Sequence, residues 1–204
     1  MSDKAAEMPK IFIIGFNKCA TSSIDKFLKA NDISSVHWDE GRIAVSFFER
    51  MSKGEDPFLD YETVTAFSDM IHVDHENVLE PFREFEYIYR YYPDAYYILN
   101  TRNAFDWVRS RKNHGTLYER YKSALGCNTD SEVVERWMMD WYAHHHECVG
   151  FFSGNQKFMI YDVDRMKPED IAAFLSDDFP RLDVSLFPHR NKSKRPLLAR
   201  IKGG

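Results

Sequence analysis

The chain has 204 residues and a formal net charge of -5, from 32 acidic and 27 basic side chains. Hydrophobic residues make up 44% of it and charged residues 29%, which is typical of a globular protein and excludes a disordered or collagen-like chain. This length suits one domain, so we expect a single domain over residues 1–204, with a polar leader at 1–9 and a basic loop and tail at 188–204.

The cysteines, the apolar runs and the pI indicate in which cellular compartment the protein lies and which partners it lacks. The three cysteines form no Cys-x-x-Cys pair, which argues against a disulfide framework and against a structural zinc site. The longest apolar run, at 11–16, is far shorter than the roughly 20 residues that cross a bilayer. We therefore expect a cytoplasmic protein without a membrane span, and a pI of 5.9 disfavours a nucleic-acid partner.

Strand and helix patterns alternate along the chain. Short runs of β-branched and aromatic residues predict strands at 10–15, 33–38, 64–67, 96–100 and 157–161. Helical spacing predicts helices at 21–30, 76–92, 103–112, 131–152 and from Pro168 onward, with flexible loops at 53–57 and 115–130. The alternation indicates an α/β fold of three layers, α/β/α, around a mostly parallel sheet that binds ligands at the carboxyl ends of its strands.

The segment after the first predicted strand has the features of an anion-binding loop. It reads Gly15-Phe-Asn-Lys18-Cys19-Ala20-Thr21-Ser22-Ser23 and leads into a helix. Such a loop points free backbone amides and the positive end of the helix at an anion. The triphosphate-binding pattern GxxxxGK[ST] needs glycine at position 20 and lysine at position 21, whereas this chain has Ala20 and Thr21. A lysine as early as Lys18 is expected to approach the 5′ end of a shorter nucleotide from another side.

Two motifs, in this order, resemble those of the sulfotransferases. Residues 18–24 are similar to the family's 5′-phosphosulfate loop, with Ala20 where glycine is usual. Arg102 ends a predicted strand and Ser110 follows eight residues later, an arrangement similar to the family's 3′-phosphate motif. Arginine and serine suit a phosphate dianion because both offer directed hydrogen-bond donors.

The resemblance covers residues 10–196 and implies a P-loop NTPase-like fold. It also implies 3′-phosphoadenosine 5′-phosphosulfate (PAPS) as the sulfuryl donor, no metal, and adenosine 3′,5′-bisphosphate as the product. Lys18 would stabilise charge on the leaving oxygen, and the 3′-phosphate would be bound by Arg102 and Ser110. The family's 5′-phosphate ligands map onto Lys18, Cys19, Ala20, Thr21, Ser22 and Ser23. A basic segment that includes Lys192 and Ser193 resembles the loop that closes over the 3′ end of the nucleotide.

An acceptor hydroxyl needs a general base within hydrogen-bond reach of its proton. Asp69 is the first candidate because it stands at the end of a predicted strand, and His37 and His72 are the second and third. Many family members have a histidine where this chain has Asp69, so the choice stays open. Consecutive helical side chains diverge by about 100°, so the run His144-His145-His146 is not expected to bind one metal ion.

Together these features predict sulfuryl transfer from PAPS to a hydroxyl or amine of a small-molecule or sugar acceptor. One alternative is a metal-dependent small-molecule kinase of related fold, which the missing Gly-Lys-Ser/Thr triplet disfavours. The other is a non-catalytic scaffold that keeps the nucleotide loops.

Overall fold

The protein is built around a parallel sheet, in a computed structural model that describes residues 8–188. The strands are β1 (Ile11–Ile13), β2 (Ser35–His37), β3 (Ala66–Ser68), β4 (His72–Val73), β5 (Val78–Leu79), β6 (Tyr96–Thr101) and β7 (Phe158–Asp162). Five of them form the central sheet in the order β2-β3-β1-β6-β7, and every neighbouring pair in it is parallel. The strands β4 and β5 form a separate antiparallel hairpin.

Helices cover both faces of this sheet. They are α1 (Thr21–Ala30), α2 (Arg42–Ser52), α3 (Phe85–Tyr91), α4 (Ala104–Lys112), α5 (Leu117–Ala124), α6 (Asp130–Phe151) and α7 (Pro168–Phe174). Alternate side chains of a strand point to opposite faces, so Ile11 and Ile13 pack into the hydrophobic cluster that contains α1 and α7. Phe12 and Ile14 pack into the larger cluster formed with α2 to α6. The predicted three-layer α/β/α fold with a parallel central sheet is confirmed.

The two central strands approach each other closely where β1 ends. A Cβ atom on Gly15 would lie 2.0 Å from the carbonyl oxygen of Asn100, so no other residue fits here without moving the backbone. Instead, the Gly15 amide donates a hydrogen bond of 2.8 Å to Oδ1 of Asn100. This contact ties the start of the anion-binding loop to β6.

The helix predicted at 76–92 is wrong over its first half, where the chain forms β5 and a short 3₁₀ turn before α3 begins. The carboxylate of Asp74 accepts hydrogen bonds from the amides of Glu76 and Asn77 at 2.8 and 2.7 Å, which closes the turn between β4 and β5. Local side-chain bonds of this kind compete with helix formation. Pro81 then starts the 3₁₀ turn, because proline has no amide hydrogen to continue a ladder.

Two helices were not expected from the sequence. The stretch predicted as a flexible loop at 115–130 contains α5, which buries Leu117, Tyr118 and Tyr121 in the larger cluster. The helix α2 buries Ile43 and Phe47, four residues apart, against the same cluster. Both helices are short, so tertiary packing decides their formation. Within residues 8–188, no helix has the length and apolar character of a membrane span.

Candidate functional site

The polar residues predicted from the sequence gather at the carboxyl edge of the sheet. Lys18 follows β1, His37 ends β2, Asp69 follows β3 and Arg102 follows β6. Parallel strands end on the same side, so these segments meet there. The strand register places His37 beside Ser68, the residue before Asp69.

The loop after β1 leads to the start of α1 at this edge, and this helix start has no side-chain cap. Ala20 is the N-cap residue of α1, its side chain makes no capping bond, and the first turn contains no acidic residue. The free amides and the positive dipole end of α1 are therefore available to an anion. The hydroxyl-bearing residues of this turn are Thr21, which is buried, and Ser22 and Ser23, which are more exposed.

The same loop is strained at two residues. Lys18 has φ of 66° and Ala20 has φ of 64°, values that favour glycine. A non-glycine residue in this left-handed conformation costs roughly 1–2 kcal/mol. Ala20 stands where the sulfotransferase motif usually has glycine, and its positive φ makes alanine unfavourable at this position.

We expect Ala20→Gly to stabilise the fold slightly, because relief of the left-handed strain exceeds the added chain entropy of glycine. The net gain is about 0.5 kcal/mol, the difference between the strain and the entropy terms. Chemical denaturation measures it. The matched substitution Ala30→Gly, at the last residue of α1, should destabilise the protein; a loss of stability from both changes would contradict the left-handed conformation at position 20.

Three side chains, one from β6, one from the residue after it and one from α4, hold the loop in this conformation. They donate hydrogen bonds to its consecutive carbonyl groups: Trp107 Nε1 to Asn17 at 3.0 Å, Arg102 Nη1 to Lys18 at 3.2 Å, and Asn100 Nδ2 to Cys19 at 2.8 Å. Restraint from several directions is what allows strained residues to persist at functional sites.

The side chain of Lys18 points to the site edge, where its Nζ lies 3.2 Å from Nδ1 of His114. Burial lowers the pKa of Lys18, the negative charge of Asp69 opposes that effect, and the positive charge of Arg102 adds to it. Burial and the charge of Lys18 also lower the pKa of His114, which favours a neutral ring that can accept a hydrogen bond from Lys18. No sequence motif singles out His114, which lies in the turn between α4 and α5.

Asp69 is largely buried and only partly satisfied. Its Oδ2 lies 3.5 Å from Nε2 of His37, while its Oδ1 is buried and has no hydrogen-bond partner among residues 8–188. Burial raises the pKa of this carboxyl group, and the charges of His37 and Lys18 oppose the rise. His37 is held in turn by Ser68, whose Oγ lies 3.0 Å from its Nδ1. Two of the three base candidates are thus in contact.

Arg102 also has an unused donor. Its Nε is buried and makes no hydrogen bond within the described part of the chain, although its Nη1 bonds the loop. Buried polar atoms are usually paired, so a guanidinium donor that is unpaired among the described residues, close to a helix start, is suited to an anionic ligand. Ser110 lies partly exposed in the second turn of α4, the helix that follows Arg102.

The remaining candidates lie elsewhere. His72 is on β4, where its Nε2 lies 3.2 Å from the carboxylate of Asp74. The predicted nucleotide-loop residues Lys192 and Ser193 lie outside the described residues. His144 and His145 anchor α6 through bonds to Ile14 O and Thr101 Oγ1 at 2.7 and 2.8 Å. In the described range, no group of three or more His, Cys, Asp or Glu side chains is arranged to bind a metal ion.

Comparisons with known proteins identify the family and the fold of the chain. A family model described as a sulfotransferase domain matches residues 10–195. The crystal structure of a sulfotransferase from Alicyclobacillus acidocaldarius is similar, with a TM-score of 0.53 and 18% sequence identity, over 88% of this chain and 85% of that chain. At this identity, the structural similarity shows the fold alone. No curated protein matches the chain.

Proposed function

Because the chain belongs to the sulfotransferase family, we propose that it transfers a sulfuryl group from PAPS to a hydroxyl or amine of a small-molecule or sugar acceptor. The observation that carries this proposal is the meeting of two cationic side chains at the uncapped start of α1. Nη1 of Arg102 donates a hydrogen bond to the backbone carbonyl oxygen of Lys18 there, and the Nε of Arg102 is still unpaired among the described residues. This set of donors suits a doubly anionic nucleotide better than it suits a neutral ligand.

The two ends of the donor would be held by different segments. Cys19, Ala20, Thr21, Ser22 and Ser23, at the start of α1, would bind the 5′-phosphate through amides and hydroxyl groups. Arg102 and Ser110 would bind the 3′-phosphate. When bound, PAPS supplies the sulfuryl group and a nucleotide leaving group. The donors needed for both phosphates are present on the described residues, so the site fits this nucleotide.

Lys18 is the group proposed to stabilise the charge that develops on the leaving oxygen. Sulfuryl transfer, like phosphoryl transfer, depends mainly on positioning and on preorganised positive charge. The ammonium group of Lys18 reaches the edge from a restrained backbone, which keeps its reorganisation small. Burial lowers the pKa of Lys18 and the charge of Asp69 raises it, with burial the larger effect. Loss of the Lys18 proton would therefore end activity at high pH.

Asp69 is the proposed general base. Burial raises the pKa of its carboxyl group toward neutral pH, where a general base is most effective. The side chain is 17% exposed and its Oδ1 has no partner among the described residues, so the carboxylate can accept the proton of an acceptor hydroxyl. His37, 3.5 Å from the other carboxylate oxygen, is placed to orient Asp69. His37 is the alternative base, because its ring also lies at the edge.

A calorimetric titration tests the donor assignment without knowledge of the acceptor. We expect tight binding of adenosine 3′,5′-bisphosphate and much weaker binding of 5′-AMP, with no preference for ATP and magnesium. A preference for ATP with magnesium would favour the kinase alternative. Tight binding of the bisphosphate with no turnover on phenols, alcohols, amines or sugars would favour the scaffold.

Removal of the Arg102 guanidinium should weaken binding of the 3′-phosphate. Hydrogen bonds to charged groups contribute about 1.5–3 kcal/mol, so Arg102→Met should weaken adenosine 3′,5′-bisphosphate binding by roughly ten- to a hundredfold. The affinity for 5′-AMP, which lacks that phosphate, should change much less. Equal losses for the two nucleotides would show that Arg102 only supports the loop.

A further inference from the structure

Arg111 is a fully buried cation directly behind the loop that carries Lys18. Its side chain is 1% exposed and pairs at 2.9 Å with Glu80, which is also buried. The hydroxyl group of Tyr121 bonds both Arg111 and Glu80. Four rings surround the guanidinium, with its Cζ 4.1–5.5 Å from the centroids of Phe16, Trp107, Tyr121 and Trp137. This enclosure fixes the position of the charge in the core.

The guanidinium also reaches the loop itself. Nε of Arg111 donates to Oδ1 of Asn17 at 3.0 Å, and the indole Nε1 of Trp107 donates to the carbonyl oxygen of Asn17 at the same distance. Trp107 and Arg111 are four residues apart on α4, so one face of that helix holds Asn17 by its side chain and its backbone. Asn17 itself is 3% exposed.

Asn17 immediately precedes the strained part of the loop. Lys18 and Ala20 both have left-handed backbones, which relax unless the surrounding structure holds them. Glycine, which would adopt such a conformation freely, is absent at both positions. External anchors must therefore maintain the loop shape, and Arg111 is an anchor that is itself held by an ion pair and four rings.

We propose that Arg111 is a positioning residue for the donor loop, acting through Asn17 to keep the amides at the start of α1 and the Lys18 side chain aimed at the 5′ end of the nucleotide. This role rests on the proposed function. It also assigns different tasks to two successive residues of α4, because Ser110 would contact the 3′-phosphate while Arg111 shapes the site for the 5′ end.

The test compares the affinities of adenosine 3′,5′-bisphosphate and adenosine 3′-monophosphate, because their ratio isolates the contribution of the 5′-phosphate. In Asn17→Ala, this ratio should fall at least tenfold. The double variant Arg111→Met/Glu80→Gln should show the same fall, and it removes both charges of the buried pair at once. In the variant that combines all three substitutions, the ratio should fall no further than in Asn17→Ala or in the double variant, because all the changes break the same contact.

Arg109→Met is the matched control, because Arg109 lies on the same helix, is largely exposed and pairs with Asp106 on the surface. Its affinity ratio should equal that of the wild type. Two outcomes would overturn the positioning role alone. The first is that the variants are folded by circular dichroism and keep the wild-type affinity ratio, and the second is that the falls in this ratio multiply in the triple variant. Absence of nucleotide binding in the wild-type protein would overturn the proposed function, and this role with it.

Discussion

Replacement of Lys18 by methionine is expected to lower kcat by about two to three orders of magnitude, the scale for loss of a preorganised transition-state donor. Most of the affinity for adenosine 3′,5′-bisphosphate should remain, because the start of α1 and Arg102 still provide donors. Only an interaction that strengthens in the transition state produces this division between turnover and binding. Turnover is measured with radiolabelled PAPS and a panel of phenols, alcohols, amines and sugars.

Lys26→Met is a suitable control for this experiment, since Lys26 lies on the exposed side of the same helix. It should leave both turnover and affinity unchanged. If Lys18→Met retained wild-type kcat, Lys18 would have no part in the reaction. If it lost nucleotide affinity and kept kcat, Lys18 would contribute to donor binding only.

Asp69→Asn is expected to lower kcat by about two to four orders of magnitude, the range for removal of a general base. Asparagine tolerates a left-handed backbone, so the φ of 54° at this position needs no change. In the wild-type protein, the rate should fall as the pH drops through the raised pKa of Asp69, because protonation removes the base. This limb of the pH profile should be missing in the variant, and full activity would transfer the role to His37.

The same substitution should stabilise the fold at neutral pH. Burial raises the pKa of Asp69 in the folded state, so its protonated form favours folding at low pH, and this stability is lost as the pH rises through the folded-state pKa. Above that pH, the protein holds a buried carboxylate with an oxygen that has no partner among residues 8–188. The asparagine side chain of the variant carries no charge, so thermal unfolding should show a Tm higher by a few degrees at pH 7 and a smaller gain in acid.

The fold and part of the site were predictable because their determinants are local. The apolar run before Gly15 and the helical spacing after Ala20 identify strand, loop and helix, and α1 has the predicted bounds of Thr21–Ala30. The positions of Lys18 and Arg102 follow, since each comes directly after a strand of one parallel sheet. Local pattern and tertiary structure agree at these positions.

The helix wrongly predicted at 76–92 is ended partly by local turn contacts, but the polar contacts that sequence reasoning missed depend on partners that are distant in sequence. Glu80 lies within the predicted helix at 76–92, yet its position is governed by Arg111, which is 31 residues away. The contact of His114 with Lys18 spans 96 residues. Hydrophobic spacing indicates which side chains face the core, but it does not indicate which polar side chains contact each other there.

The order of the strands divides the candidate site into two halves. The proposed donor ligands follow β1 and β6 in the interior of the sheet, whereas Asp69 follows β3 and His37 ends β2 on one side of it. The connection after β2 can therefore vary in length and composition without removing a proposed donor contact, whereas the connection after β3 carries Glu80, the partner of Arg111. We expect that exchange of the connection after β2 for one from another family member would change the preferred acceptor and leave nucleotide binding unchanged.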